Sequence, residues 1–277
     1  METTMMRSLW TAASGMSAQQ TNVDLIANNL ANVNTTAFKK ERMEFQSLLY
    51  QTMRRATMDS ATAIQGPTNL QVGLGVRPIA TTRIFEMGNL ERTDNQFDFA
   101  INGPGFFMVQ LNPDTVAFTR DGNFRLSPMD DGGLMLVTPE GLPILDIAGD
   151  EIVFGEELNL TTMAVNDDGT IMFTSPEGEM IDPGIQIAMV QFQNVQGLEA
   201  MGRNLFLQTP ASGAMMLEAD GEVNVMSSLL QGFLESSNVQ LAEEMVRLII
   251  AQRAYEVNSR TIQASDEMLQ QANNLRR

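Results

Sequence analysis

The chain has 277 residues, of which 43% are hydrophobic and 18% are charged, so it is long and apolar enough to fold around substantial cores. It contains no histidine and no cysteine, which excludes disulfides, thiolate metal sites, thiol nucleophiles and histidine-based acid–base catalysis. Its 17 basic and 34 acidic residues give a net charge of −17, which argues against a nucleic-acid partner.

The amino terminus has neither the basic start nor the apolar run of a secretory signal peptide. No run of about 18 apolar residues occurs elsewhere, so direct membrane insertion is not expected.

The first predicted element is an α-helix over residues 6–30. Its apolar positions recur at alternating spacings of three and four, the heptad pattern of a helix that packs against another helix. Such a helix is not stable alone, so another element or another chain must cover its stripe. The stripe consists of Met6, Leu9, Ala13, Met16, Gln20, Val23, Ala27 and Leu30.

Asparagines cluster where this pattern ends, at Asn28, Asn29, Asn32 and Asn34. Two compatible interpretations stay open. Buried asparagine beside an apolar stripe fixes the register of packed helices, and asparagine at a helix end also forms turns. Neither role is catalytic.

The middle of the chain, residues 76–205, is predicted to be an antiparallel β-domain. Short alternating segments and turn signals follow one another there with no helical pattern between them. One turn signal, Asp121-Gly122-Asn123, is predicted to join two strands as a hairpin.

Three groups of residues in this middle region resemble sites, and each has a simpler interpretation. The glycine-rich stretch 102–107 lacks the full phosphate-binding fingerprint and is interpreted as a turn. Residues 166–169 resemble half of a calcium loop and are interpreted as a hairpin turn. The carboxylate pairs at 130–131 and 156–157 would suit a glycosidase, but a solvated acidic surface is favoured. We therefore predict no catalytic residue, no cofactor and no metal site.

The last predicted element is an α-helix over residues 238–272, in which large apolar residues recur every seven positions. Its stripe consists of Leu241, Met245, Leu248, Tyr255, Ile262 and Leu269.

The predicted fold class is therefore α+β. Paired, coiled-coil-like N- and C-terminal helices flank extended connecting segments and a central antiparallel β-domain. The predicted domains are 1–37 with 235–277 for helical assembly, 38–75 with 206–234 as connecting segments, and 76–205 as an outer β-domain.

The excess negative charge lies in the middle of the chain. Residues 86–222 contain 23 acidic and 4 basic residues, a net charge of −19, whereas the two ends together carry +2. Residues 8–37 contain one charged side chain, Asp24. A helix with so few charges is poorly suited to full solvation, so we predict that a partner buries the ends and that the middle is solvated.

Both ends also resemble the signatures of bacterial flagellar rod and hook proteins, in order and over the full length of the chain. The similar stretches at the ends are 8–16 (SLWTAASGM), 27–40 (ANNLANVNTTAFKK), 232–239 (GFLESSNV), 243–246 (EEMV) and 252–259 (QRAYEVNS). The stretches 102–107 (NGPGFF) and 118–124 (FTRDGNF) are similar to the family's β-domain.

Within this family, segments 44–55 and 70–78 most resemble the distal-rod members, because hook and proximal-rod relatives usually lack or shorten residues 46–64. The family usually has glycine where Ala37 stands. If this position requires a positive φ, alanine costs about 1 kcal/mol or reshapes the exit of the first helix.

The resemblance implies a structural, non-enzymatic subunit of the flagellar distal rod, which polymerises helically into the hollow drive shaft that transmits torque from motor to hook. The implied partners are further copies of the chain, proximal-rod proteins, the hook protein, the surrounding P- and L-ring proteins and the flagellar export apparatus. The implied location is the periplasmic rod of the basal body, reached by type III export without a cleaved signal peptide. A proximal-rod or hook subunit is the alternative within the family, and a cell-wall glycosidase or an adhesin is the alternative outside it.

Two sets of residues are predicted to form the functional surfaces. The assembly interface comprises Leu9, Ala13, Met16, Val23, Ala27, Asn28, Asn29, Leu30, Asn32, Leu241, Met245, Leu248, Tyr255, Ile262 and Leu269. The rod-stiffening segment comprises Leu48, Leu49, Tyr50, Met53, Arg54 and Arg55.

Overall fold

The computed structural model describes residues 2–54, 69–113, 115–129, 132–155, 162–174, 180–221, 223 and 225–274. Over these residues the chain forms two α-helices, α1 (Glu2–Ala31) and α2 (Leu241–Asn274), and twenty β-strands. The strands are β1 (Glu41–Ser47), β2 (Tyr50–Arg54), β3 (Leu70–Gly73), β4 (Val76–Arg83), β5 (Leu90–Arg92), β6 (Phe99–Asn102), β7 (Phe106–Asn112), β8 (Thr115–Thr119), β9 (Arg125–Pro128), β10 (Leu134–Val137), β11 (Val153–Phe154), β12 (Met163–Val165), β13 (Ile171–Thr174), β14 (Met180–Ile181), β15 (Met189–Phe192), β16 (Glu199–Gly202), β17 (Leu205–Leu207), β18 (Met215–Leu217), β19 (Ser228–Gln231) and β20 (Phe233–Glu235).

The chain divides into two compact units. The helical unit consists of Met1–Ala31, Glu41–Thr82 and Gln240–Arg277. The β unit consists of Asn32–Lys40 and Arg83–Val239.

The helical unit contains both helices and two β-ribbons. Helices α1 and α2 pack against each other over their length, and α1 also contacts β1. Strand β1 pairs with β4, and β2 pairs with β3 in an antiparallel ribbon. The two predicted terminal helices are thus confirmed, with bounds close to those expected from the heptad pattern.

The β unit is built from antiparallel sheets, as predicted. Its largest sheet has six strands in the order β16-β17-β8-β7-β15-β18. Two three-stranded sheets, β11-β10-β9 and β12-β13-β14, and the two-stranded pairs β19-β6 and β20-β5 complete it.

Two apolar clusters form the core of the β unit, one on each side of β7, because neighbouring residues of a strand point to opposite faces. Phe107 belongs to the larger cluster and Phe106 to the smaller. In the smaller cluster, Phe118 and Phe192 stack edge to face with ring centroids 4.8 Å apart.

The predicted hairpin at residues 121–123 is wrong. Strand β8 pairs with β7 and β17, whereas β9 pairs with β10, so this turn connects two different sheets. The Phe99 amide donates to the Gly122 carbonyl at 2.9 Å. A Cβ on Gly122 would lie 1.7 Å from the Phe99 carbonyl oxygen, so glycine serves a close approach of two backbones here.

Strand pairing carries the β unit beyond the predicted bound at residue 205. Strand β17 pairs with β8, β18 with β15 and β19 with β6, so segment 206–234 contributes strands to the sheets of the β unit. At the other end, β4 belongs to the helical unit up to Thr82. Periodicity alone did not reveal these pairings, because they depend on contacts distant in sequence.

Candidate assembly interface

The face of α2 that meets α1 is small and polar. Glu244, Ala251 and Ser265 are buried and lie on one face with Asn258, each seven residues from the next. We call this face, together with the α1 residues opposite it, the polar seam.

The α1 side of the polar seam runs antiparallel to α2. The Ser8 and Ser265 hydroxyls lie 3.3 Å apart, and the Asn29 side-chain amide lies 3.5 Å from a Glu244 carboxylate oxygen. Between them, a Cβ on Gly15 would lie 2.9 Å from the Asn258 amide nitrogen. Small residues therefore let the two helices approach closely along this seam.

The predicted stripe of α2 flanks the polar seam, because Leu241, Leu248, Tyr255 and Ile262 each stand three residues before a seam residue of α2. Leu241 and Met245 are 51% and 49% exposed, and Tyr255 is also exposed. Leu248, Ile262 and Leu269 are half-buried. This face remains largely open in the single chain, and its assignment to an assembly interface stays a prediction.

The predicted α1 positions divide in the same way. Ala13, Ala27 and Asn28 are exposed; Leu9, Met16, Val23, Leu30 and Asn32 are half-buried; and Asn29 is buried. Among residues 6–31 of α1, the buried ones are Ala12, Ala18, Leu25, Ile26 and Asn29, a face rotated by about one position from the predicted stripe. Asn29 is the predicted interface residue that lies on this buried face.

Two of the clustered asparagines have distinct roles. The Asn29 side chain donates to the Glu41 carbonyl at 2.8 Å and accepts from the Glu41 amide at 3.0 Å, which fastens the start of β1 to α1. Asn32 instead forms a turn, in which Thr35 donates through its amide and its hydroxyl. The turn interpretation thus applies to Asn32, whereas a role of Asn29 in the register of the helices stays a prediction.

Of the predicted rod-stiffening residues, Leu48 and Leu49 precede strand β2, and Tyr50, Met53 and Arg54 belong to it. Leu48 is half-buried and donates its amide to the Gly75 carbonyl at 2.9 Å. Leu49 is 84% exposed, and Tyr50 and Met53 are also exposed. Arg54 ends β2. Arg55 and the rest of segment 55–64 lie outside the described residues.

A buried charge cluster that the sequence reasoning missed lies in the β unit. The Lys39 ammonium pairs with the Glu235 carboxylate and also donates to the Glu86 carbonyl at 2.8 Å. Arg120 pairs with the other Glu235 oxygen at 3.0 Å. The three charged side chains are at most 2% exposed.

Hydrogen bonds satisfy the rest of this cluster. Glu235 accepts a further bond from the Gly88 amide at 2.8 Å. Arg120 donates to the carbonyls of Gly103 and Ile101 at 2.6 and 3.3 Å. Burial, together with the nearby Arg120 charge, lowers the pKa of Lys39 to about 8, against the opposing effect of Glu235. Burial likewise raises the pKa of Asp121, next to β8 in the sequence.

Backbone contacts around the cluster join residues 37–40 to residues 235–238, and we call this pair of segments the clasp. The Ala37 amide donates to the Glu235 carbonyl at 2.7 Å. The Lys40 amide donates to the Asn238 side chain at 2.7 Å, and Asn238 donates to the Ile84 carbonyl at 2.8 Å. The clasp thus brings two of the signature stretches together, and Arg120 comes from a third.

Ala37 has a φ of +54° and is buried. The backbone at Ala37 is therefore left-handed, a conformation that costs alanine roughly 1 kcal/mol relative to glycine.

Of the three groups of residues that resemble sites, residues 102–107 span the turn between β6 and β7, as predicted. Residues 166–169 form the turn between the paired strands β12 and β13, as predicted. The carboxylate pairs at 130–131 and 156–157 lie outside the described residues. The described residues contain no group of three or more acidic side chains placed to bind a metal ion. Neither helix, over its described residues, is long and apolar enough to cross a membrane.

Comparison with known families gives three matches along the chain. Residues 9–39 match the flagella basal body rod protein family, residues 100–173 the flagellar hook protein FlgE/F/G D1 domain, and residues 230–275 the flagellar basal body rod FlgEFG protein C-terminal family. The first and last matches contain most of the two helices and of the clasp.

Full-length relatives agree with these matches. The flagellar basal-body rod protein FlgG of Borreliella burgdorferi is 47% identical over 99% of this chain and 100% of its own length. FlgG of Bacillus subtilis is 38% identical over 99% of this chain and 100% of its own length. The Helicobacter pylori flagellar hook protein FlgE2 aligns over 61% of this chain and 47% of its own with 15% identity and a TM-score of 0.24, too low to define a shared fold. With such identity over whole chains, this protein belongs to the flagellar basal-body rod protein family.

Proposed function

We propose that this chain is a structural, non-enzymatic subunit of the flagellar distal rod. The observation that carries the proposal is the full-length similarity to proteins named FlgG, at 47% identity over 99% of this chain for one of them. The open apolar face of α2 supports a role in assembly, because a soluble monomer rarely leaves such a face uncovered.

The proposed mechanism is helical polymerisation through the terminal helices. Head-to-tail contacts that do not close into a ring generate a helical filament. In this proposal the polar seam joins α1 and α2 within one chain in a coiled-coil-like pair, and the α2 stripe with Leu241 and Leu248 is buried by neighbouring copies. Burial of this stripe then gives the hollow shaft its axial and torsional stiffness.

The proposed partners follow from a position in the periplasmic rod of the basal body. Besides further copies of itself, the chain would meet proximal-rod proteins at one end, the hook protein at the other and the P- and L-ring proteins around it. We propose that it arrives through the flagellar export apparatus without a cleaved signal peptide.

Substitution of the α2 stripe tests the proposal. Leu241→Asp and Leu248→Asp are each expected to abolish polymerisation of the purified chain, observed by electron microscopy, because the charge would be buried between subunits. The β unit should keep its cooperative unfolding transition, and Gln263→Asp on another exposed part of α2 should still polymerise. Normal filaments from both leucine variants would show that this stripe is not the interface.

We further propose that segment 46–64 wedges against neighbouring subunits and makes the shaft straight. The exposed Leu49 and Tyr50 on its described part are suited to such contacts. Deletion of residues 46–64 should then give a curved or flexible polymer. A polymer that stays straight and equally stiff would refute this role for the segment.

A further inference from the structure

The clasp lies where the chain enters and leaves its two helices. Residues 32–36 connect the end of α1 to the clasp, and residues 239–240 connect the clasp to the start of α2. Through the clasp, the two helices are therefore joined by a tether of about seven residues, whereas some two hundred residues separate them along the sequence.

Stability alone does not account for the charges at this place. A buried ion cluster requires the desolvation of each charge, and apolar replacements of the same volume are often equally stable or more stable. What charges add is geometric selectivity. The two oxygens of Glu235 accept from Lys39, Arg120 and the Gly88 amide, which come from three separate segments.

The backbone bonds of the clasp depend on the same residue. The backbone carbonyl of Glu235 accepts a hydrogen bond from the Ala37 amide. The side chain of Glu235 pairs with Lys39, two residues after Ala37. Removal of the carboxylate charge would leave the Lys39 and Arg120 cations sharing one uncharged partner in a buried space. The Arg120 cation would then be buried without a charged partner and the charge-assisted bond of Lys39 to residue 235 would be lost, so segment 37–40 would be held less firmly against residues 235–238.

We propose that Glu235 is a positioning residue that closes the clasp, so that α1 and α2 of one chain find each other along the polar seam before they meet another copy. A short tether raises the effective concentration of one helix near the other. Seam pairing then occurs within the chain and leaves the α2 stripe for a neighbour. This inference deepens the proposed function and rests on it.

The test uses the full chain with a reporter of seam pairing. The natural chain has no cysteine, so Ser8→Cys with Ser265→Cys introduces one possible disulfide, between side chains whose native hydroxyls lie 3.3 Å apart. In dilute solution under air oxidation, Glu235→Gln should slow intrachain disulfide formation about tenfold. Lys39→Met, which keeps the pair of Glu235 with Arg120, should slow it by less than about threefold.

A second variant keeps the test informative if Glu235→Gln prevents folding. Asn238→Ala removes the bonds to Lys40 and Ile84 but leaves the charge cluster intact, and it should also slow the cross-link. Folding of the β unit is checked by amide protection in β7 and β8. A folded Glu235→Gln or Asn238→Ala chain that cross-links as fast as the parent would overturn the clasp. Failure of the parent chain to polymerise would count against the proposed function instead, because the cross-linking rate does not require polymerisation.

Discussion

Because Lys39 is buried, we expect the free energy of unfolding of the β unit to change with pH in the alkaline range. Substitution of Lys39 alone should remove this change. The pKa of Lys39 is lowered from 10.5 to about 8 in the folded chain, chiefly by burial and then by Arg120. Between these two values the folded chain binds fewer protons than the unfolded chain, so the free energy of unfolding rises with pH. The cost of burying the charged form is thus present below about pH 8 and is relieved as the pH approaches 10.5.

The size of the effect follows from the same two values. At about 1.4 kcal/mol per unit of pKa, the gap between 8 and 10.5 corresponds to roughly 3 kcal/mol. Lys39→Met removes this titration while the pair of Glu235 with Arg120 remains. We therefore expect the free energy of unfolding of the parent chain, relative to that of the Lys39→Met variant, to rise by about 3 kcal/mol from neutral pH to about pH 10.5.

Urea unfolding of both chains, followed by circular dichroism at several pH values, measures this difference. Other titrating groups affect both chains alike, so they cancel when one free energy is subtracted from the other. A difference that stays constant over this pH range would refute the account of Lys39. A difference that falls with pH would mean that the Glu235 charge, and not burial, dominates its pKa.

Three further substitutions have outcomes fixed by backbone geometry. Ala37→Gly should raise the free energy of unfolding by up to about 1 kcal/mol, because it relieves the left-handed φ while losing one buried methyl group; a clear loss of stability would contradict this. Gly15→Leu should separate the helices at the polar seam and prevent polymerisation. Gly15→Ala would meet only the movable end of the Asn258 side chain and should still polymerise. Equal behaviour of the two variants in electron microscopy would count against the seam. Gly122→Ala should lower the free energy of unfolding by about 3 kcal/mol in a urea titration, whereas Gly155→Ala, with open space around it, should change it little; similar effects would show that the contact with the Phe99 carbonyl is unimportant.

The parts of the fold that local pattern determines were predictable. The heptad spacing of apolar residues gave both helices with nearly their observed bounds, and the succession of turn signals gave the antiparallel β unit. The pairing of strands was not predictable in this way. The turn at Gly122 has a hairpin sequence, yet its flanking strands join different sheets because their partners lie elsewhere in the chain.

The candidate surfaces were predictable in part for a related reason. Large apolar side chains mark the α2 stripe in the sequence, but the polar seam consists of residues such as Gly15 and Ala251 that carry no periodic apolar signal. Lys39 and Glu235 stand nearly two hundred residues apart, so their pairing is visible only in the folded structure. The sequence nevertheless contains a signal of this pairing. Lys39 and Glu235 each lie in a stretch that resembles the family, and neither stretch contains a charge of the opposite sign that could be a local partner.

The central claim is that the terminal helices are completed by other copies of the chain. The polar seam buries few large side chains, so the helices should be weakly held in a single chain. Amide hydrogen exchange on dilute monomer and on polymer tests this most directly. We expect rapid exchange in residues 1–35 and 240–277 of the dilute monomer and strong protection of the same residues in the polymer. Strong protection of both helices in dilute monomer, unchanged on polymerisation, would contradict it.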